Sequence, residues 1–195
     1  LAEMEAISNH ENNFGTAYAA AAAPSRVPLE LGDWEAAANL PTTLHSSVSW
    51  ERYPQAVAIR WCAIGIGAAR AGNVAAAEKA LAELADLTTV MEERKAAYWV
   101  ALSTAQSKGI QAWLAHHKGD DETALNLMRD AADIEDKVGK APVTPGHVLP
   151  ARELLGDLLL AAGDKSGAAE AYQMSLKVSP NRRRSLIGLS IAAGS

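Results

Sequence analysis

Several things are scarce in this chain, and each scarcity removes a class of protein. Its 195 residues contain one cysteine, Cys62, so no internal disulfide can form and the fold does not depend on an oxidising compartment. Phenylalanine occurs once, and runs of β-branched or aromatic residues are few, which argues against a sheet. No stretch approaches the roughly 18 apolar residues of a membrane-spanning helix. The nearest candidate, Ala17 to Ala23, is short, weakly apolar and lacks a preceding basic segment. Positive charge is not in excess, with 18 Lys and Arg against 23 Asp and Glu and a net charge of -5. That balance argues against general binding to nucleic acid or to an anionic membrane. Reactive signatures are missing as well: no Gly-x-Ser-x-Gly elbow, phosphate-cradling loop, dinucleotide fingerprint or His-Glu-x-x-His zinc motif occurs. No cofactor and no metal are therefore expected. The chain opens on Leu1 instead of Met, which reads as a processed product or a piece of a longer protein; cytoplasm and periplasm both fit.

Alanine is abundant, at 41 residues, and Ala is the best helix former and allows helices to approach closely. An all-helical protein is expected. Four times, glycine is followed by a polar residue and then small residues: Gly32-Asp33, Gly72-Asn73, Gly119-Asp120 and Gly163-Asp164. Gly takes the left-handed position that ends a helix, and Asp or Asn caps the next one. An alanine five residues after each Gly (Ala37, Ala77, Ala124, Ala168) would let the second helix lie close to the first. The glycines stand 40, 47 and 44 residues apart, the mark of a helical-repeat array.

Apolar spacing and breakers predict a single domain over 1–195, built of hairpins at about 2–40, 55–87, 91–138 and 150–179. The first helix is expected from Ala2 to Ala23, stopped by Pro24, then a short piece from Ser25 to Leu31 kinked by Pro28. Asp33–Leu40, Gln55–Ala71 and Asn73–Leu87 follow, the last two as a clean hairpin after a polar loop holding Trp50 and Tyr53. Met91 to Lys118 has no Pro and one Gly, so one helix of about 42 Å is expected, paired with Asp120–Val138. Gly139–Val148 reads as a loop, and Pro150–Ala162, Asp164–Ser179 and a capping helix Asn181–Ala193 complete the array.

Leu155-Gly156, Gly163, Ala168, Tyr172 and Pro180 stand at the offsets of a 34-residue tetratricopeptide repeat, and Leu149 to Arg182 resembles that family. Trp61, Ile64-Gly65, Gly72, Ala77 and Leu81 resemble it too, whereas the copies at Gly119 and Gly32 are degenerate. The order of Trp50-Glu51-Arg52-Tyr53-Pro54, Ala97-Tyr98-Trp99, Pro142-Val143-Thr144-Pro145-Gly146 and Leu149-Pro150-Ala151-Arg152 is similar to the C-terminal part of large bacterial tetratricopeptide-repeat proteins. The resemblance implies a right-handed α-solenoid of about four hairpins plus a cap. In that family the first helix of each hairpin lines a concave groove. Carried over, the groove positions are Ile59, Cys62, Ile66, Ala69 and Arg70, then Gln106, Gly109, Trp113, His116 and His117, then Pro150, Glu153, Asp157, Leu160 and Ala161. The implied function is a non-enzymatic scaffold binding a protein or peptide through Arg70, Gln106, Trp113, His116, His117, Glu153 and Asp157. The Lys, Asn and Arg cluster that marks grooves holding peptide C-termini is missing, which argues against a chaperone-tail adaptor.

Each of these residues has a plainer reading. Trp113 fits core packing slightly better than ligand contact, and Trp34, Trp50, Trp61 and Trp99 fill gaps between Ala-rich helices. His116 and His117 point about 100° apart and suit a helix C-terminus. Cys62 lies on an apolar helix and reads as a small core residue. Gly65-x-Gly67 reads as close packing. Glu92-Glu93 reads as a helix first turn, Asp120-Asp121-Glu122 as a cap, and Arg182-Arg183-Arg184 as an exposed face. Two other functions remain open. One is a small-ligand protein or metal-dependent enzyme whose pocket forms near residues 139–148, with His147 brought toward His116 and His117. The other is a module of a larger array, able to self-associate through exposed apolar surface.

Overall fold

The computed structural model describes residues 11–44, 46, 48–139 and 147–194. Among them there are nine α-helices and no strand. The helices are α1 (Phe14–Leu31), α2 (Trp34–Ala38), α3 (Pro54–Arg70), α4 (Val74–Glu93), α5 (Ala97–His117), α6 (Asp121–Val138), α7 (Ala151–Ala161), α8 (Lys165–Val178) and α9 (Arg183–Ala193), with a 3-10 turn at Trp50–Arg52.

The four glycine turns form as their chemistry requires. Gly32, Gly72, Gly119 and Gly163 all have φ between 71 and 85°. After each one, the amide of the next residue reaches back five positions to a helix carbonyl, as Asn73 N does to Ala68 O at 2.8 Å. That same residue then caps the following helix. Asp33, Asn73, Asp120 and Asp164 accept from the amides of Ala36, Ala76, Thr123 and Gly167 at 2.9–3.1 Å. Ala37, Ala77, Ala124 and Ala168 are fully buried, so the small residue five positions on is where the paired helices meet. Gly67 is held to the same standard: a Cβ there would lie 2.5 Å from Ala38 N.

Packing follows chain order. α3 lies on α4, α5 on α6 and α7 on α8, and each pair meets the next through α4–α5, α6–α7 and α8–α9. The leading helices also touch in sequence: α1–α3, α3–α5, α5–α7 and α7–α9. One continuous apolar core runs through them.

Three expectations need correction. α1 does not stop at Pro24; it runs through Pro24 and Pro28 to Leu31, and the missing amide bonds cost less than its burial against α3 returns. Expected helical residues 1–10 lie outside the described part. Met91–Lys118 is not one helix. α4 continues to Glu93, Lys95 turns left-handed at φ 55°, and α5 begins at Ala97. Lys95 N bonds Glu92 O and Ala96 N bonds Met91 O, the same stop that glycine makes elsewhere, here without a glycine to announce it. Glu92 and Glu93 accordingly end a helix instead of starting one. The loop expected at 139–148 falls largely on residues 140–146, outside the described part.

Candidate functional site

α3, α5 and α7 stand side by side and present one face, and most residues singled out for binding lie along it. Arg70, in the last turn of α3, has its guanidinium between two indoles, 4.2 Å from the Trp34 ring centre and 3.9 Å from that of Trp113. Its Nη1 donates to Asp157 Oδ2 of α7 at 3.0 Å. Burial pulls the Arg70 guanidinium below its ordinary pKa, against the raising effect of Asp157. Trp113 is only 4% exposed, and its Nε1 has no hydrogen-bond partner among the described residues.

Glu153, in the first turn of α7, is fully buried and accepts four hydrogen bonds: from Arg182 Nε and Nη2, Arg184 Nε and Ser185 Oγ, at 2.6–3.0 Å. Asp157 takes Arg184 Nη2 at 2.7 Å and the Tyr172 hydroxyl at 2.7 Å. Arg182 Nη2 also donates to Glu30 Oε1 of α1 at 2.8 Å. Three guanidinium groups (Arg70, Arg182, Arg184) thus face three carboxylates (Glu30, Glu153, Asp157), and charge is balanced inside the cluster. Burial works against charge on Arg182, yet the bonds and charges of Glu153 and Glu30 outweigh it and raise its pKa. Tyr172 is pushed well up by burial and by the negative charge of Asp157.

The basic run is therefore not an exposed face. Arg182 and Arg184 keep only 16% and 15% of their side chains in water, and only Arg183 points out. A signal for this was present in the sequence. Cations at a helix N-terminus oppose the helix dipole, so a run of Arg there asks for carboxylates close by.

Over the same face lies α1. Ala17, Ala21, Ser25 and Leu29, spaced by four, are all buried to 1% exposure or less. Phe14 and Tyr18 stack near the Trp99 ring of α5, at 5.6 and 6.4 Å. Leu29 closes a cavity of about 20 Å³ with Cys62 and Ile66 of α3, Gln106 and Gly109 of α5 and Leu154 of α7. Arg26 Nη2 donates to His147 O at 3.1 Å, and Arg184 Nη1 to Leu29 O at 3.4 Å.

Glu135 of α6 was not singled out beforehand. It sits in the apolar stripe Ala124, Met128, Ala131 and Glu135, a carboxylate where a hydrocarbon is expected. Its Oε2 accepts from the Ala151 amide at 2.6 Å, and His147 Nδ1 lies 3.3 Å from Oε1. Burial pushes its carboxyl up to about 8, against the lowering effect of the Ala151 amide. A cavity of about 230 Å³ opens beside it, lined also by Arg152, Met174 and Lys177.

The structure does not bring His147 to His116 and His117. His147 lines a cavity with Leu102 and Gln106, about 15 Å earlier along α5 at the usual helix rise. His116 Nδ1 is 2.6 Å from Asp121 Oδ1, and His117 is exposed. Gln106 is half-buried between the two small cavities. Among the described residues no group of three or more His, Cys, Asp or Glu is placed to hold a metal ion, and no helix is long and apolar enough to cross a membrane. Neither a protein-family model nor a curated protein nor a solved structure matches this chain.

Proposed function

We propose that the chain is a tetratricopeptide-type α-solenoid of about four degenerate hairpins and a capping helix, serving as a scaffold that recognises a helical segment of another protein. One observation carries this reading: beside the face made by α3, α5 and α7, where the repeat pattern puts its concave groove, a helix packs on α3 and reaches α5 through Phe14 and Tyr18 and α5 and α7 through Leu29. The glycine-capped turns and the chain-order packing support the repeat assignment. Recognition needs no reactive group, and aromatic and arginine side chains of the kind gathered here are the usual energetic centres of interfaces. Among the described residues, Gln55, Tyr98 and Gln106, each half-buried, form a mouth beside α1.

Selection of displayed peptides on the folded protein tests this. Enrichment of binders whose affinity falls at least tenfold in Gln106→Arg and Tyr98→Ala, and is kept in Glu78→Arg on the outer side of α4, is expected. Binders indifferent to Gln106 and Tyr98, or no binders, would overturn it.

A further inference from the structure

Resting on that reading, we infer that α1 occupies the binding face in cis, and that the partner is a helix of the same chemistry that takes its place. The seat has three parts. At one end Trp99 and Tyr53 receive Phe14 and Tyr18 through ring contacts. In the middle only small side chains fit, because Ala17, Ala21 and Ser25 lie flat against it without exposure. At the far end a socket between Cys62, Ile66, Gly109 and Leu154 takes Leu29, and Arg182 takes the Glu30 carboxylate. The partner segment is therefore an α-helix of about four to five turns. It carries an aromatic residue, then Ala or Ser at every fourth position, then Leu followed by an acidic residue.

α1 is built to leave this seat more readily than its neighbours leave theirs. Pro24 and Pro28 lie inside it, and each lacks the amide that would tie one turn to the previous one. Between Tyr18 and Pro28 its buried residues are Ala21, Ala22 and Ser25, small side chains that remove little apolar area from water per residue. Beyond the Leu29 socket its far end is held by a polar contact, in which Glu30 keeps 38% of its side chain in water, where salt screens the pair. Elements held in this way open at lower free energy than the core.

The test uses the full chain carrying Ala21→Arg, which puts a long charged side chain where only a methyl fits, and a fluorescein-labelled peptide of residues 12–32. Hydrogen exchange is read on both proteins. In the wild type, α1 amides should exchange at least tenfold faster than those of α5 and α6. The variant should keep its protection in α5, α6 and α8 and bind the peptide at least tenfold more tightly than the wild type, while a peptide with its own Ala21→Arg change does not bind. Equal exchange of α1 and α5, loss of protection throughout the variant, or a folded variant that ignores the peptide would each overturn the inference. Light scattering should show a wild-type monomer; a dimer with exchanged α1 helices would overturn it in favour of a second copy as occupant. Peptides selected at the Gln106 mouth would still bind the wild type in each of these cases if the scaffold reading holds, so the two failures are distinguishable.

Discussion

Glu153 carries more of the structure than any other single side chain of the polar cluster. It is buried without remainder and pairs with both Arg182 and Arg184. Removing one member of a buried ionic group leaves the others uncompensated, so Glu153→Ala should cost about 3–5 kcal/mol in chemical denaturation. A loss under about 1 kcal/mol would mean that water reaches the arginines. Gly67 presents the opposite problem, a residue that must have no side chain. Gly67→Ala forces a methyl against Ala37 and Ala38, and about 1–3 kcal/mol of destabilisation is expected in the same assay. Close packing at Gly67 was legible from composition, and so were the buried roles of Cys62 and Trp113. The partners of Arg182 and Arg184 were not, because a contact between residues 27 positions or more apart leaves no trace in local spacing.

Among the elements, the glycine-capped turns could be read directly, since local hydrogen bonding fixes them and each repeats the same chemistry. The stop at Lys95 could not, because a lysine there pays a steric penalty that only tertiary packing imposes. Lys95→Gly should relieve that strain and stabilise the α4–α5 corner by about 1 kcal/mol, seen as a higher denaturant midpoint with an unchanged slope. The joint between α6 and α7 depends on pH. The Glu135 carboxyl is raised from its ordinary range to about 8, so its contribution is whole below about pH 4.5 and is lost as pH rises through 8. Glu135→Gln keeps the Ala151 contact without the charge. The wild type should therefore lose thermal stability relative to the variant between pH 6 and pH 9. Parallel pH profiles would show that the Glu135 carboxyl titrates in its ordinary range.

For the molecule as a whole, the first and last described helices are coupled. Glu30 and Leu29 of α1 are bonded to Arg182 and Arg184, 152 and 155 positions away. A stack whose units touched only their neighbours would fray independently at its two ends. Here Arg184→Ala should raise hydrogen exchange at the end of α1 as well as at the start of α9, with α4 little affected; a response confined to α9 would show the ends to be independent. The helical class was readable from the sequence at this scale, whereas the reach of α1 from α3 to the side chains of α5 and α7 was not, since Pro24 and Pro28 suggested that it stopped early. One thiol records that placement. Cys62 lies beneath Leu29, and burial, followed by the charge of Glu135, pushes its pKa up to about 12. An electrophilic dye added from outside should therefore find almost no thiolate while the cover is on. Its rate of reaction becomes a stopwatch for the uncovering of the interior, carried by the native chain without any added label.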